Sequence, residues 1–81
     1  MEMYQILKKS TIFPQSWDDS KILENIRKVG DSPILSVRQR DSATFHRLIL
    51  DGVEIDVIKI GNNVTSAYPT GTVGANFPSG F

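Results

Sequence analysis

Asp51-Gly52 constrains this chain more tightly than any other pair of residues in it. Both residue types accept positive φ, so the pair favours a two-residue turn whose twist matches that of paired strands. It separates two runs rich in β-branched and aliphatic residues, Ala43–Leu50 and Val53–Ile60. A two-residue turn pairs Leu50 with Val53, and the register follows. Leu48 then faces Ile55, Arg47 faces Asp56, and His46 faces Val57. In this register Leu48, Leu50, Val53, Ile55 and Val57 share one side of the sheet. On the other side Arg47 meets an opposite charge. A slip of one residue would turn the whole apolar set over, so the pattern specifies this pairing strongly.

Two further runs, Ile34–Gln39 and Val64–Tyr68, extend the hairpin to about four strands. Asn62-Asn63 suits a second two-residue turn, because Asn tolerates positive φ. That turn pairs Lys59 with Ser66 and Val57 with Tyr68. It makes a row of His46, Val57 and Tyr68 across one face, with Lys59 and Ser66 beside it. A three-residue Gly61-Asn62-Asn63 loop would instead shift the pairing by one and reverse the faces. Residues 17–29 form the one clear helix. Ser16 is its candidate N-cap, with Asp19 three residues later, and Asp18 and Asp19 lie where the helix dipole favours anions. Ile22, Ile26 and Val29 recur at helical spacing, with Leu23 alongside. Arg27 and Lys28 fill the last turn, Gly30 is the expected C′ residue, and Pro33 blocks continuation. The expected fold class is α+β: one helix packed on an antiparallel meander of about four strands. An extended segment at Tyr4–Ile12 is expected to add to it.

The chain has 81 residues, enough for one small domain. Residues 1–68 read as that domain. Residues 69–81, PTGTVGANFPSGF, contain three Gly, two Pro and no charge. A Gly/Pro-rich tail of this kind has little to bury, so loop or disorder is expected. The alternative is a docked tail anchored by Phe77 and Phe81. Nine basic residues balance nine acidic ones, which argues against a polybasic nucleic-acid binder. The absence of cysteine excludes disulfides and thiolate metal sites. A single histidine cannot build the usual multi-histidine metal centre. No phosphate-binding loop or dinucleotide fingerprint occurs, so no cofactor is expected. No apolar run is long enough to span a membrane, and a cytoplasmic location fits a chain without disulfides.

Several residues are candidates for chemistry, and each has an ordinary structural use as well. His46 is the one side chain that ordinarily titrates near neutrality, yet a strand histidine beside Leu48 also suits half-buried packing. Lys8-Lys9-Ser10-Thr11 could grip a phosphate, or simply be a solvated pair before a loop. Arg38, Arg40 and Arg47 could bind phosphate or guard strand edges. Trp17 could stack a base or anchor the core. Ser66 and Tyr68 present two hydroxyls on one face of a strand.

Two of these segments together resemble a known family. Lys9-Ser10-Thr11-Ile12-Phe13-Pro14, then Ser16-Trp17 and a helix, resembles a stretch of bacterial EndoU-type nuclease domains. Thr65-Ser66-Ala67-Tyr68-Pro69 resembles the end of the same domains. The resemblance implies an endoribonuclease, often a toxin domain, cleaving at uridine to a 2′,3′-cyclic phosphate. It implies Lys9 (or Lys8) near the scissile phosphate, and Ser66 and Tyr68 holding the nucleotide. It also implies two histidines, base and acid, N-terminal to the lysine stretch, where this chain has none; His46 lies on the wrong side to match either. The chain therefore resembles the C-terminal half of such a domain. The implied function is a non-catalytic RNA- or protein-binding remnant of a toxin nuclease. The alternative is an active nuclease, either with His46 recruited to a new role or with the missing half supplied by another chain. RNA, a protein partner or a second copy of the chain are the expected partners. A face left uncovered by the missing half, bearing His46 and Tyr68, is where association is expected. As part of a larger toxin the chain would be secreted rather than cytoplasmic.

Overall fold

A computed structural model describes residues 13–81. The segment Tyr4–Ile12, including Lys8, Lys9, Ser10 and Thr11, lies outside the described residues. One helix, α1 (Asp19–Gly30), precedes four strands: β1 (Ser36–Arg38), β2 (Ala43–Leu50), β3 (Val53–Ile60) and β4 (Asn63–Pro69). They form one antiparallel sheet in the order β1-β2-β3-β4. This is the expected α+β meander.

The central hairpin has the register its turn dictates. Leu50 pairs with Val53, Leu48 with Ile55, Arg47 with Asp56 and His46 with Val57. Asp51 and Gly52 have φ of 53° and 77°, the left-handed values that such a turn requires at both positions. The side bearing Leu48, Leu50, Val53, Ile55 and Val57 packs against α1. There Phe13, Trp17, Ile26, Val29, Ile55, Val57 and Ala67 form the main core. A second cluster of Ala43, Phe45 and Ile58 lies on the opposite side of the sheet.

The helix begins later than expected. Asp18, not Ser16, is the N-cap: its carboxylate accepts from the Lys21 N–H at 2.8 Å. The Trp17 N–H is already bonded to the Pro14 carbonyl, so a turn occupies residues 14–17. Trp17 is thereby delivered to the core, 8% exposed and stacked on Phe13. At the other end Gly30 lies inside the helix rather than beyond it, and Asp31 is the C-cap. The Lys59 ammonium donates to the Gly30 carbonyl at 3.0 Å, placing a cation on the negative end of the helix dipole. β1 is shorter than the apolar run suggests. Ile34 and Leu35 fall outside the strand and are half exposed.

The second hairpin corrects the expectation. Its two-residue turn is Gly61-Asn62, so Ile60 pairs with Asn63 and Lys59 with Val64. A β-bulge follows. Ile58 pairs with Ser66, which leaves Thr65 as the extra residue, and the Thr65 hydroxyl donates to the Ile58 carbonyl. Beyond the bulge Val57 faces Ala67, and Asp56 faces Tyr68. The expected row of His46, Val57 and Tyr68 does not exist. The row under the helix is His46, Val57 and Ala67, while Arg47, Asp56 and Tyr68 cross the opposite face. Ala67 is fully buried in the helix-side core, and the bulge puts this small residue there and the tyrosine outside.

Candidate functional site

The face turned away from α1 carries Phe45 and Arg47 from β2, Glu54, Asp56 and Ile58 from β3, and Ser66 and Tyr68 from β4. Alternation along each strand selects these residues. At its centre Arg47 forms a two-pronged pair with Asp56: Nε donates to one carboxylate oxygen at 2.6 Å and Nη2 to the other at 3.0 Å. Glu54 lies 3.6 Å from the same Nε. The side chains are only 11% (Arg47), 3% (Glu54) and 2% (Asp56) exposed. Two buried carboxylates share one guanidinium, so the cluster has an excess negative charge that needs other donors.

The C-terminal segment supplies them. The Gly74 and Ala75 N–H groups donate to Glu54 at 2.8 and 3.2 Å, and the Thr70 hydroxyl donates at 2.8 Å. In return Arg47 donates to the Ala75 carbonyl at 2.7 Å and the Asn76 carbonyl at 3.4 Å. Phe77 and Phe81 pack on Phe45, with ring centroids at 4.7 and 5.4 Å. Arg47 lies over Phe77, and Arg38 over Phe81. The segment after Pro69 has no regular secondary structure, as expected, but it is a docked strap rather than a disordered tail.

These contacts set the ionisation of the site. Burial works to raise the Glu54 pKa, but the N–H groups of Gly74 and Ala75, the Thr70 hydroxyl and the Arg47 charge outweigh it, leaving the carboxyl below its ordinary range. Tyr68 is shifted the other way. Burial, and then the charge and hydrogen-bonding of the Asp56 carboxylate, push the phenol above its ordinary value, against a smaller opposing effect of Arg47. At neutral pH the Tyr68 phenol is therefore protonated and is not a base.

The sequence-derived candidates fall into three groups. Ser66 and Tyr68 share the open face, both partly exposed, two residues apart on β4. Lys9 lies outside the described residues. His46 is on the wrong side of the sheet to join them and is 4% exposed. Its Nδ1 is 2.8 Å from the Ser32 carbonyl and its Nε2 is 2.9 Å from the Thr44 hydroxyl. A carbonyl can only accept, so Nδ1 carries a proton, and both ring nitrogens are engaged. The His46 ring is thus buried on the helix side, hydrogen-bonded at both nitrogens.

The arginines are likewise committed. Arg38 holds Asp41 with two hydrogen bonds, and Arg47 is bound as described; Arg40 is exposed. Glu54, Asp56 and the strap were not among the sequence candidates. The signals for them were the Arg47–Asp56 pairing that the hairpin register requires and, for the strap, the two phenylalanines that could anchor a docked tail. A cleft lined by Leu23, Arg27, Lys59 and Asn62 opens on the helix side, away from Ser66 and Tyr68. Among the described residues no helix is long and apolar enough to cross a membrane.

Comparison with known proteins places this face in context. No curated protein and no solved structure matches the chain. The family model described as bacterial EndoU nuclease matches residues 3–71, a span that takes in Lys9, the helix, the meander, Ser66 and Tyr68. With most of its length inside that match, the chain belongs to the bacterial EndoU nuclease family.

Proposed function

We propose that this chain is the substrate-holding lobe of an EndoU-type endoribonuclease domain, binding RNA through Ser66, Tyr68 and Lys9 without turning it over alone. The observation that carries this reading is the state of His46. Transesterification at uridine needs a base to take the 2′-hydroxyl proton and an acid to protonate the departing 5′-oxygen. Each such group contributes roughly 10²–10⁴-fold. The sequence has a single histidine, which is buried under the helix with both ring nitrogens engaged. Tyr68, with its raised pKa, stays a neutral phenol, and its oxygen offers a hydrogen-bonding site to a nucleotide. Ser66 offers a second hydroxyl on the same face.

The test uses the 81-residue protein and a fluorescent uridine-containing oligonucleotide, with and without Mn²⁺. We expect no product ending in 2′,3′-cyclic phosphate above a buffer blank, together with binding that weakens in Tyr68→Phe. Cyclic-phosphate products that disappear in His46→Gln would overturn the proposal and make His46 catalytic.

A further inference from the structure

The family match ends at residue 71, yet the strap that completes the buried charge cluster lies mostly beyond it. We infer that residues 72–81 are a positioning element that fixes Tyr68 through Arg47 and Asp56. The inference rests on the reading of Tyr68 as a nucleotide-holding residue.

The physical connection runs in one row. Arg47, Asp56 and Tyr68 occupy directly opposed positions on β2, β3 and β4. Asp56 is 1% exposed and has both oxygens on the Arg47 fork, so it has no freedom to follow solvent. The orientation of that fork is fixed in turn by the strap carbonyls of Ala75 and Asn76 and by the rings of Phe45 and Phe77 against the guanidinium. Glu54 draws on the same guanidinium and would compete for it. The strap's own N–H groups at Gly74 and Ala75 satisfy Glu54, which leaves the fork to Asp56. With the strap docked, the carboxylate has a single position, directly across the strand pair from Tyr68. Without the strap, Glu54 and Asp56 would divide Arg47 between them and the face would open to water. Gly74 permits this docking: its φ is +84°, a conformation that other residues adopt only at a cost.

The variant Gly74→Pro removes the N–H given to Glu54 and forbids the positive φ, while every sheet residue stays intact. It is made in a Tyr4→Phe background, so that Tyr68 is the only tyrosine. Two quantities are read: the absorbance titration of the phenol, and anisotropy of a fluorescent uridine-containing oligonucleotide. Releasing the strap should leave the far-ultraviolet circular dichroism of the sheet unchanged. The phenol titration should move down toward the ordinary tyrosine value, and oligonucleotide binding should weaken about fivefold, the worth of one hydrogen bond. Tyr68→Phe should weaken binding similarly. Since the strap acts through Tyr68, adding Gly74→Pro to Tyr68→Phe should cost nothing more.

An unchanged phenol titration, or losses that add in the double variant, would overturn the strap's role. Binding indifferent to Tyr68→Phe would instead sink the nucleotide-holding reading, and the functional part of this inference with it. Should Gly74→Pro fail to fold, Phe77→Ala loosens the strap from its aromatic end, and the same two readouts decide.

Discussion

Replacing Glu54 with Gln changes one atom in a buried side chain that accepts three hydrogen bonds. The carboxylate accepts from the Thr70 hydroxyl and the Ala75 N–H on one oxygen and from the Gly74 N–H on the other. With its carbonyl oxygen placed toward Thr70 and Ala75, Gln keeps two of these bonds. Its amide nitrogen then faces the Gly74 N–H, donor against donor. One hydrogen bond is lost and a buried N–H is left unpaired, at about 1–3 kcal/mol. The two remaining bonds lose their ionic character, which roughly halves their strength. The attraction to Arg47 at 3.6 Å also disappears. The expected cost is about 2–4 kcal/mol, a large part of the ~5–15 kcal/mol that holds a typical domain together.

Urea unfolding followed by tryptophan fluorescence at neutral pH measures that cost, and repetition in acid tests its origin. The Glu54 pKa is lower in the folded protein than its ordinary unfolded value. The stability this carboxylate contributes is therefore complete above the ordinary carboxylate range and is lost as pH falls through the depressed value. The gap between wild type and Glu54→Gln should narrow over that interval. A cost below ~0.5 kcal/mol, or a gap that does not change with pH, would refute the reasoning.

We predict that Ile26→Ala, at a position 1% exposed beneath the helix, costs about 2–5 kcal/mol in the same denaturant experiment; a loss under ~0.5 kcal/mol would mean that the helix does not pack as described. Gly52→Val, at φ +77° in the central turn, should destabilise by more than ~1 kcal/mol, whereas the neighbouring Asp51→Asn should stay within about 0.5 kcal/mol, because Asn tolerates the same backbone. Lys21→Met breaks an ion pair with Asp51 whose side chains are 45% and 62% exposed, so the melting midpoint should barely move. His46→Phe removes the bonds to Ser32 and Thr44 and should lower stability by about 1–3 kcal/mol; a variant as stable as the parent would show that these bonds hold nothing.

The central hairpin was legible in the sequence because turn chemistry and alternation specify the same register independently. The second hairpin was not, since Gly61-Asn62 and Asn62-Asn63 are both competent turns and nothing about Thr65 marks it as a bulge. Its pairing beyond the bulge coincides with that of the three-residue loop weighed as an alternative, which is why Tyr68 faces away from the helix. The helix start was ambiguous for a similar reason: Ser16 and Asp18 are both good caps, and only the turn at Pro14 decides between them. The strap was legible only as the alternative of a tail anchored by Phe77 and Phe81, because its composition shows little that it could bury. What orders it is two carboxylates on β3, at positions that alternation alone reads as solvent-facing. Ser66 and Tyr68 were singled out by strand alternation and by the resemblance, and the structure puts them on one face. The position of His46 opposite Val57 was likewise readable, but not that its ring would be closed off by the Ser32 carbonyl from one side and Thr44 from the other.

The strap also fixes the order in which this protein assembles. The pairing that builds the sheet is local, growing outward from turns at Asp51-Gly52 and Gly61-Asn62. Arg47 and the Ala75 carbonyl are 28 residues apart in sequence, and their meeting point exists only once β2 and β3 have paired. Ordering the segment after Pro69 costs chain entropy, and it brings no reward until Glu54, Asp56 and Arg47 are in place. Docking of the strap is thus the late step of folding and the early step of unfolding. In native-state hydrogen exchange, the Gly74 and Ala75 amides should open by a local route, with less protection than the amides of β3, even though all of them are hydrogen-bonded.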